Sequence, residues 1–166
     1  QVLWEDTVEE QYAFLYPYLP GSVVLDIGAY IGDSAVFFVS RGARRVLAYE
    51  PHPELYSLAV KNVELNKMLD RVSIYNLGVG PVEGTVSVRE DTQGFATSGF
   101  GLPGSNKGRE ISFQVAGLAR ILDQCGQVDV VKMDCEGAEF DTLLSMPAEQ
   151  LRRVKVWGVE FHRDPQ

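Results

Sequence analysis

Acidic side chains stand at or near the ends of short apolar segments in this sequence. Three of them are Asp26, Glu50 and Asp134. Short β-branched and leucine-rich runs are typical of buried parallel strands, and an open parallel sheet binds its ligands at the carboxyl ends of its strands. We therefore expect these carboxylates to meet at one edge, where they could bind cationic or hydroxyl groups and accept protons.

A glycine turn follows the first of these segments. Residues 23–27 have the pattern of a buried strand, Gly28 and Gly32 come next, and the helix-like run 34–41 ends at Gly42. Glycines let the backbone turn tightly and come close to a ligand, and the N–H groups of the first helical turn are free to bind it. The segment therefore predicts a nucleotide-binding unit.

The details of this turn favour S-adenosylmethionine (SAM). A dinucleotide fingerprint is G-x-G-x-x-G, but three residues separate Gly28 from Gly32 and no third glycine follows. Asp26 would repel a pyrophosphate, whereas it could fix the cationic amino-acid end of SAM. NAD(P) and an ordinary buried turn are the alternatives. The predicted cofactor contacts in this segment are Asp26, Gly28, Ala29, Tyr30, Gly32, Asp33 and Ser34.

Glu50 is the predicted ribose ligand. It follows the second strand pattern, residues 45–50, and lies 24 residues after Asp26. That is close to the spacing at which an acid meets the ribose hydroxyl pair in this architecture. A solvated acid at a strand end is the alternative.

Composition indicates one soluble domain over residues 1–166. The formal net charge of −8 argues against a nucleic-acid partner, and no apolar run is long enough to cross a membrane. The N-terminus has no signal-peptide pattern. Cys125 and Cys135 suggest neither a zinc site nor a disulfide framework. We expect a cytoplasmic protein with two reduced thiols.

The order of elements predicts an α/β fold. A helix over 4–16, ended by Pro17 and Pro20, precedes strands and helices that alternate up to Gly78. This alternation means a doubly wound, mostly parallel sheet with helices on both faces. Residues 84–116 then form an insertion: two period-2 strands, 84–89 and 110–116, as a hairpin or as added edge strands. The glycine-rich loop between them covers the substrate or is a disordered insert.

The later segments continue the alternation. A helix over 118–125 leads to a buried strand over 128–133, a short helix stops at Pro147, and residues 154–161 form the last strand. A long apolar edge strand exposes unpaired backbone groups. We expect a partner chain in a homo-oligomer, the strands of 84–116, or sequence outside this chain to cover it.

Three motifs resemble the class I SAM-dependent methyltransferases, and among them the FkbM-type family. They are residues 25–32 (LDIGAYIG), 48–51 (AYEP) and 132–139 (KMDCEGAE). The resemblance covers roughly residues 20–162, and its most specific motif is Lys-x-Asp-x-Glu-Gly-x-Glu. It implies a Rossmann-like sheet and O-methylation of a sugar or another small molecule. The class I fold also continues into a closing pair of strands, which are missing here.

The resemblance also extends the predicted cofactor site. Pro51 follows the ribose ligand in the second motif, and the stretch Asn76-Leu77-Gly78 would border the adenine. A simple strand-ending turn is the alternative for that stretch. Asp134 counts as a cofactor contact as well, because it ends the fourth main strand.

The catalytic hypothesis rests on acids at the last two strand ends. Asp134, Glu136 and Glu139 fall within six residues, and His162 ends the neighbouring strand. We predict that Asp134 or His162 removes the proton of an acceptor hydroxyl, while Glu136 orients the substrate or the amino group of SAM. Helix capping by these acids is the alternative. A divalent metal held by the acids is a further alternative, which is disfavoured because no histidine sits at ligand spacing.

An oxygen acceptor fits the motif after the fourth strand. Enzymes of this fold that methylate amides or aromatic amines often carry Asn/Asp-Pro-Pro-Tyr/Phe there, whereas this chain has Asp134-Cys135-Glu136-Gly137. Two rival functions remain open: a SAM-binding or nucleotide-binding module without turnover, and a nicotinamide-dependent oxidoreductase.

Overall fold

The computed structural model describes residues 11–90 and 109–162 of the chain. Within these ranges the strands are β1 (Val23–Ile27), β2 (Arg45–Tyr49), β3 (Val72–Tyr75), β4 (Gly78–Gly80), β5 (Gly84–Glu90), β6 (Arg109–Gly117), β7 (Val130–Met133) and β8 (Val156–Val159). The helices are a 3-10 helix (Ala13–Tyr18), α1 (Asp33–Ser40), α2 (Pro53–Leu65), α3 (Leu118–Cys125), α4 (Glu139–Ser145) and α5 (Ala148–Arg153).

The main sheet has five parallel strands in the order β3-β2-β1-β7-β8. This confirms the predicted Rossmann-like α/β fold. The order reverses beside β1, so the carboxyl ends of β1 and β7 open a crevice between them, as expected for a ligand site in such a sheet.

The inserted strands form a second sheet. After β3 the chain leaves the main sheet, and β4, β6 and β5 make a three-stranded sheet in that order. β5 and β6 pair in antiparallel fashion as a hairpin, one of the two predicted arrangements, while β4 pairs with β6 in parallel. β3 ends at Tyr75, so Asn76 and Leu77 connect it to β4. The glycine-rich loop over 91–108 lies outside the described residues.

Both faces of the main sheet are covered, because its strands are apolar on both sides. On one face Val24 and Val46 pack with Phe37 and Phe38 of α1 and with Val63 of α2. The other face packs against α3, α4 and α5; its apolar side chains include Leu25, Leu47, Val131, Leu118, Ile121, Leu143 and Leu151. Helices therefore flank the sheet on both faces, as predicted.

One predicted helix boundary is wrong, and one helix was not predicted. The 3-10 helix runs through Pro17 to Tyr18 instead of ending before the proline. The fixed φ of proline is compatible with a 3-10 helix, which loses only the one hydrogen bond that the missing N–H would donate. Residues 4–10 of the predicted first helix lie outside the described residues. Pro147 ends α4 but also precedes a further helix, α5, that was not predicted. In the described ranges, no helix has the length and apolar character needed to cross a bilayer.

The last strand is shorter than predicted and lies at the sheet edge. β8 holds four residues, and the ring of Phe14 lies directly over Gly158. The side-chain amide of Gln11 donates to Glu160 just beyond the strand, at 2.7 Å. The strands within 84–116 do not cover this edge, because they belong to the second sheet. Cover by a partner chain stays a prediction.

A buried ion pair lies at the centre of the sheet. Asp26 of β1 and Lys132 of β7 are register partners, and Lys132 Nζ lies 3.5 Å from Asp26 Oδ1. Lys132 Nζ also donates to the Gly28 carbonyl at 2.5 Å, and Ser34 Oγ donates to Asp26 Oδ2 at 2.6 Å. Burial by itself would lower the pKa of Lys132, but the Asp26 charge raises it above its ordinary value. Lys132 therefore stays charged and joins β7 to the glycine turn.

Gly28 allows the glycine turn to pack against the end of β7. It has a φ of 76°, and a Cβ placed on it would lie 1.7 Å from the Asp134 carbonyl oxygen. The close approach predicted for this glycine is therefore made to the backbone of the neighbouring strand. Gly32, with a φ of 80°, similarly lets α1 approach Ala59 of α2.

The first prediction concerns Lys132. Lys132→Met leaves the Asp26 carboxylate buried without its cation, and we expect the free energy of unfolding to fall by about 3–5 kcal/mol. Urea denaturation monitored by circular dichroism measures the change. Arg153→Met is the control, because it breaks the exposed pair of Arg153 with Asp123 and should cost at most about 1 kcal/mol. Equal stability of the two variants would contradict the role of the buried pair.

The second prediction compares two glycines of positive φ. Gly21 has a φ of 74° with nothing near its added Cβ, so Gly21→Ala should cost only the backbone strain, about 1–2 kcal/mol. Gly28→Ala adds a clash with the Asp134 carbonyl and should be clearly less stable in the same denaturation experiment. A Gly28→Ala variant as stable as Gly21→Ala would disprove the close approach.

Candidate functional site

A cleft of about 340 Å³ opens at the carboxyl ends of β1, β2 and β7. It lies where the strand-end rule predicted a ligand site. Nine predicted site residues line it: Gly28, Tyr30, Asp33, Ser34, Glu50, Pro51, Gly78, Asp134 and Glu136. Nine of the twenty described residues that line the cleft were therefore predicted as site residues.

Five predicted cofactor contacts do not line the cleft. Asp26 and Ala29 are fully buried, and Asp26 is held by Lys132 and Ser34 beneath the turn. Gly32 packs against α2. The amide of Asn76 donates to the Glu50 and Pro51 carbonyls, at 2.9 Å each, and Leu77 lines a different groove. These residues do not face the cleft; they support the conformation of the loops that line it.

Glu50 presents a carboxylate held by two backbone donors. Its side chain is 6% exposed; Oε2 accepts the Tyr30 N–H and Oε1 the His52 N–H, both at 2.9 Å. Tyr30 has a φ of 51°, a conformation uncommon for a non-glycine residue. Burial raises the pKa of Glu50 to about 7, although the two N–H groups act in the opposite direction. Each oxygen keeps lone pairs for a further hydrogen bond.

Apolar side chains complete the wall, and sequence reasoning did not assign them to the site. Leu55 of α2, Val79 of β4, and Val88 and Phe113 of the β5–β6 hairpin line the cleft. The hairpin therefore supplies one side of the pocket. The period-2 pattern predicted these strands, but no local signal shows that they fold over the end of the main sheet.

Polar residues of the wall were also missed as site residues; they include Gln11, Tyr12, His52 and Lys132. His52 follows the second strand and caps α2, since its Nδ1 accepts the Glu54 N–H at 3.2 Å. Lys132 Nζ lies 3.8 Å from Asp134 Oδ2. Side chains two residues apart on a strand point to the same face, which brings the Lys132 ammonium near this carboxylate.

Asp134, Glu136 and His162 form a cluster at the rim of the cleft. One ligand atom from each of the three lies within 4.8 Å of the others. His162 Nε2 is 3.8 Å from Asp134 Oδ1, from Glu136 Oε2 and from Glu160 Oε1. The premise that no histidine stands at ligand spacing is therefore wrong in three dimensions, because parallel pairing of β7 and β8 brings their ends together.

Glu139 supports this cluster from behind. Its side chain is fully buried and accepts the N–H groups of Cys135 and Gly137 at 2.9 and 3.0 Å. Burial raises its pKa, but the N–H groups and His162 together lower it below the ordinary value, so the carboxylate is ionised. Glu139 Oε1 lies 3.2 Å from His162 Nδ1. Glu139 therefore stabilises the turn before α4 through N–H groups that precede the helix, and no side chain among the described residues caps the helix at Ala138.

The rim also contains an unusual turn and a free thiol. Glu136 has a φ of 56°, which turns the chain sharply between Asp134 and α4. Burial, together with the nearby Glu139 carboxylate, raises the pKa of the Cys135 thiol. Cys125 and Cys135 are both free, as expected of reduced cysteines.

Comparison with known proteins agrees with the motifs. The family model described as the methyltransferase FkbM domain matches residues 26–166. Among solved structures, the methyltransferase FkbM from Methylobacillus flagellatus KT is similar at a TM-score of 0.50 and 18% identity, over 75% of this chain and 28% of that chain. At this identity the structural match supports the fold.

Two curated proteins share local sequence with the chain. The tRNA(Phe) (4-demethylwyosine(37)-C(7)) aminocarboxypropyltransferase of Pyrococcus horikoshii is 36% identical over 58 residues, which cover 35% of this chain and 21% of that protein. Protein arginine N-methyltransferase 6 of Danio rerio is 38% identical over 65 residues, which cover 39% of this chain and 18% of that protein. The chain therefore spans about a fifth of the length of these relatives.

The family match covers most of the chain, and the fold, the glycine turn and the strand-end acids agree with it. On this evidence the chain belongs to the FkbM methyltransferase domain family.

Proposed function

We propose that the chain transfers a methyl group from SAM to a hydroxyl oxygen of a small molecule or a sugar. The observation that carries the proposal is the position of the Glu50 carboxylate. It is held by two backbone N–H groups beside the glycine turn, in the cleft whose rim holds Asp134, Glu136 and His162. When bound, SAM supplies an electrophilic methyl group on its sulfonium.

The cleft residues fit SAM in three respects. Glu50 can accept both hydroxyls of a ribose, because each carboxylate oxygen has a lone pair beyond its backbone bond. Leu55 and Val79 offer apolar surface for a purine ring. Asp33, in the first turn of α1, and Asp134 offer carboxylates for the cationic end.

The rim cluster prepares the acceptor. In the simplest mechanism Asp134 or His162 takes the hydroxyl proton, while Glu136 orients the acceptor or the amino group of the cofactor. Holding the hydroxyl in line and removing its proton are the two contributions that the protein makes. The absence of an Asn/Asp-Pro-Pro-Tyr/Phe segment after β7 favours oxygen over nitrogen as the acceptor atom.

A SAM-binding module without turnover is the second candidate. It is favoured by the short overlap with the curated relatives, about a fifth of their length. Their names include a tRNA-modifying enzyme and a protein arginine methyltransferase, so relatedness alone does not select the acceptor. Calorimetric titration with SAM, S-adenosylhomocysteine and NAD tests the ligand, and turnover on a panel of hydroxyl, amine and tRNA acceptors tests the activity.

The third prediction concerns Glu50 and cofactor affinity. Glu50→Ala removes charge-assisted hydrogen bonds, and we expect SAM binding to weaken by about 1–3 kcal/mol. Isothermal titration calorimetry measures this loss. Glu64→Ala is the control, because Glu64 is an exposed acid at the far end of α2. Unchanged SAM affinity in a folded Glu50→Ala variant would refute the ribose assignment.

The affinity for SAM should also depend on pH through Glu50. Its pKa is raised from 4.5 to about 7, and the nearby charges are Lys132, which lowers this pKa, and Asp26, which raises it. The folded chain holds the Glu50 proton more tightly than the unfolded chain does. The free energy of unfolding therefore falls as the pH rises from 4.5 to about 7. The ionised form binds hydroxyls best, so affinity should be about tenfold weaker at about pH 6 than at about pH 8. Glu50→Gln should flatten this profile, and an unchanged profile in that variant would rule out Glu50 as its source.

The fourth prediction separates binding from turnover. His162→Ala should keep its SAM affinity and lose turnover by about 100-fold or more. Asp134→Asn should lose turnover to the same extent and should also bind SAM more weakly, because Asp134 offers a carboxylate to the cationic end of the cofactor. Calorimetry and a methyl-transfer assay on the acceptor found in the panel measure the two effects. Normal turnover in both variants would place the activation of the acceptor elsewhere.

A further inference from the structure

The rim cluster has the donor set of a metal site. Two carboxylates, Asp134 and Glu136, and one imidazole, His162, contribute one atom each to a group within 4.8 Å. The donors come from the ends of two neighbouring strands and the turn between β7 and α4. We propose that these three residues bind a divalent first-row transition ion such as Mn²⁺ or Zn²⁺. Mixed imidazole and carboxylate donors suit such ions better than Mg²⁺ or Ca²⁺.

The orientation of His162 supports this assignment. Nδ1 of His162 lies 3.2 Å from a carboxylate oxygen of the fully buried Glu139, and a carboxylate can accept the Nδ1 hydrogen. The second ring nitrogen, Nε2, faces Asp134 and Glu136. A buried carboxylate that fixes the other nitrogen is the usual outer partner of a metal-binding histidine.

The two carboxylate oxygens of Asp134 face different groups. Oδ2 lies 3.8 Å from the buried Lys132 Nζ, and Oδ1 lies 3.8 Å from His162 Nε2. Lys132 is in turn held by Asp26 and the Gly28 carbonyl. Oδ1 therefore faces the cluster, while Oδ2 faces the buried Lys132 ammonium.

The spacing of the donors leaves room for an ion. The distances from Nε2 to the Asp134 and Glu136 oxygens, 3.8 Å each, are too long for direct hydrogen bonds. Two donors that each bind an ion at about 2.0–2.2 Å are separated by at most about 4 Å. A small inward movement of the half-exposed Glu136 would therefore complete the three-ligand set.

The role of the ion rests on the proposed function, whereas the binding site does not. Asp134 and Glu136 also line the SAM cleft, so an acceptor oxygen on an open coordination position would lie beside the cofactor. Coordination would lower the pKa of that hydroxyl, and its proton would pass to solvent. Asp134 and His162 would then act as ligands instead of bases.

The experiment titrates Mn²⁺ into the metal-free chain without SAM, followed by electron paramagnetic resonance of free Mn²⁺ and by calorimetry. We expect one ion per chain, and at least tenfold weaker binding in Asp134→Asn, Glu136→Gln and His162→Gln. Glu139→Gln should weaken binding by about 10–100-fold, the usual effect of losing an outer partner. Asp123→Asn is the control, because Asp123 is an exposed acid on α3 that pairs with Arg153; its affinity should equal that of the unaltered chain.

Three outcomes decide the proposal. Saturable binding of one ion that the cluster variants lose and Asp123→Asn keeps supports it. If His162→Gln binds the ion as well as the unaltered chain does, the proposal is overturned, because the acids alone then attract the ion. The proposal is also overturned if the unaltered chain shows no saturable binding. Circular dichroism confirms that each variant is folded. SAM titration of the same variants keeps the two proposals apart: Mn²⁺ binding without SAM binding refutes the proposed function alone.

Discussion

The buried pair of Asp26 and Lys132 is the interaction on which the site depends. The two residues face each other across β1 and β7, where a lone charge would be very unfavourable. Each also makes a second contact: Asp26 accepts from Ser34 at the start of α1, and Lys132 donates to the Gly28 carbonyl. The central strands, the glycine turn and the first helix are thereby held in one arrangement, and the missing side chain of Gly28 lets the turn lie against the end of β7.

From this centre the site extends in two directions. Toward β2 lies Glu50, whose carboxylate is positioned by the backbone of residues 30 and 52. Toward β8 lies the cluster of Asp134, Glu136 and His162, which Glu139 supports through the turn before α4. The β5–β6 hairpin adds an apolar wall with Val88 and Phe113. The cleft thus joins the Glu50 carboxylate to an acidic rim, an arrangement that suits the proposed transfer between a nucleoside cofactor and a polar acceptor.

Much of the site could be predicted because strand ends in a parallel sheet converge. Gly28, Tyr30, Glu50 and Asp134 were placed correctly by that rule. Asp26 was expected at the ligand but is buried with Lys132, because the side chain of a residue inside a strand points into one face of the sheet and not out of its end. Sequence reasoning did not predict that His162 and Asp134 lie close enough to share a ligand. The two residues are 28 positions apart, and their spacing along the chain does not reveal that β7 pairs with β8.

The sequence by itself determined the α/β class, the parallel sheet, the glycine turn and the family, because each depends on local periodicity or on short motifs. Tertiary structure decided which acids face the cleft. It decided as well that Asp26 pairs with Lys132 and that His162 contacts Glu139. It also decided that the inserted strands form a separate sheet over the cleft. These contacts join residues that lie far apart in the chain. They depend on how whole helices and strands pack, and that packing energy is a sum over many side chains from different segments.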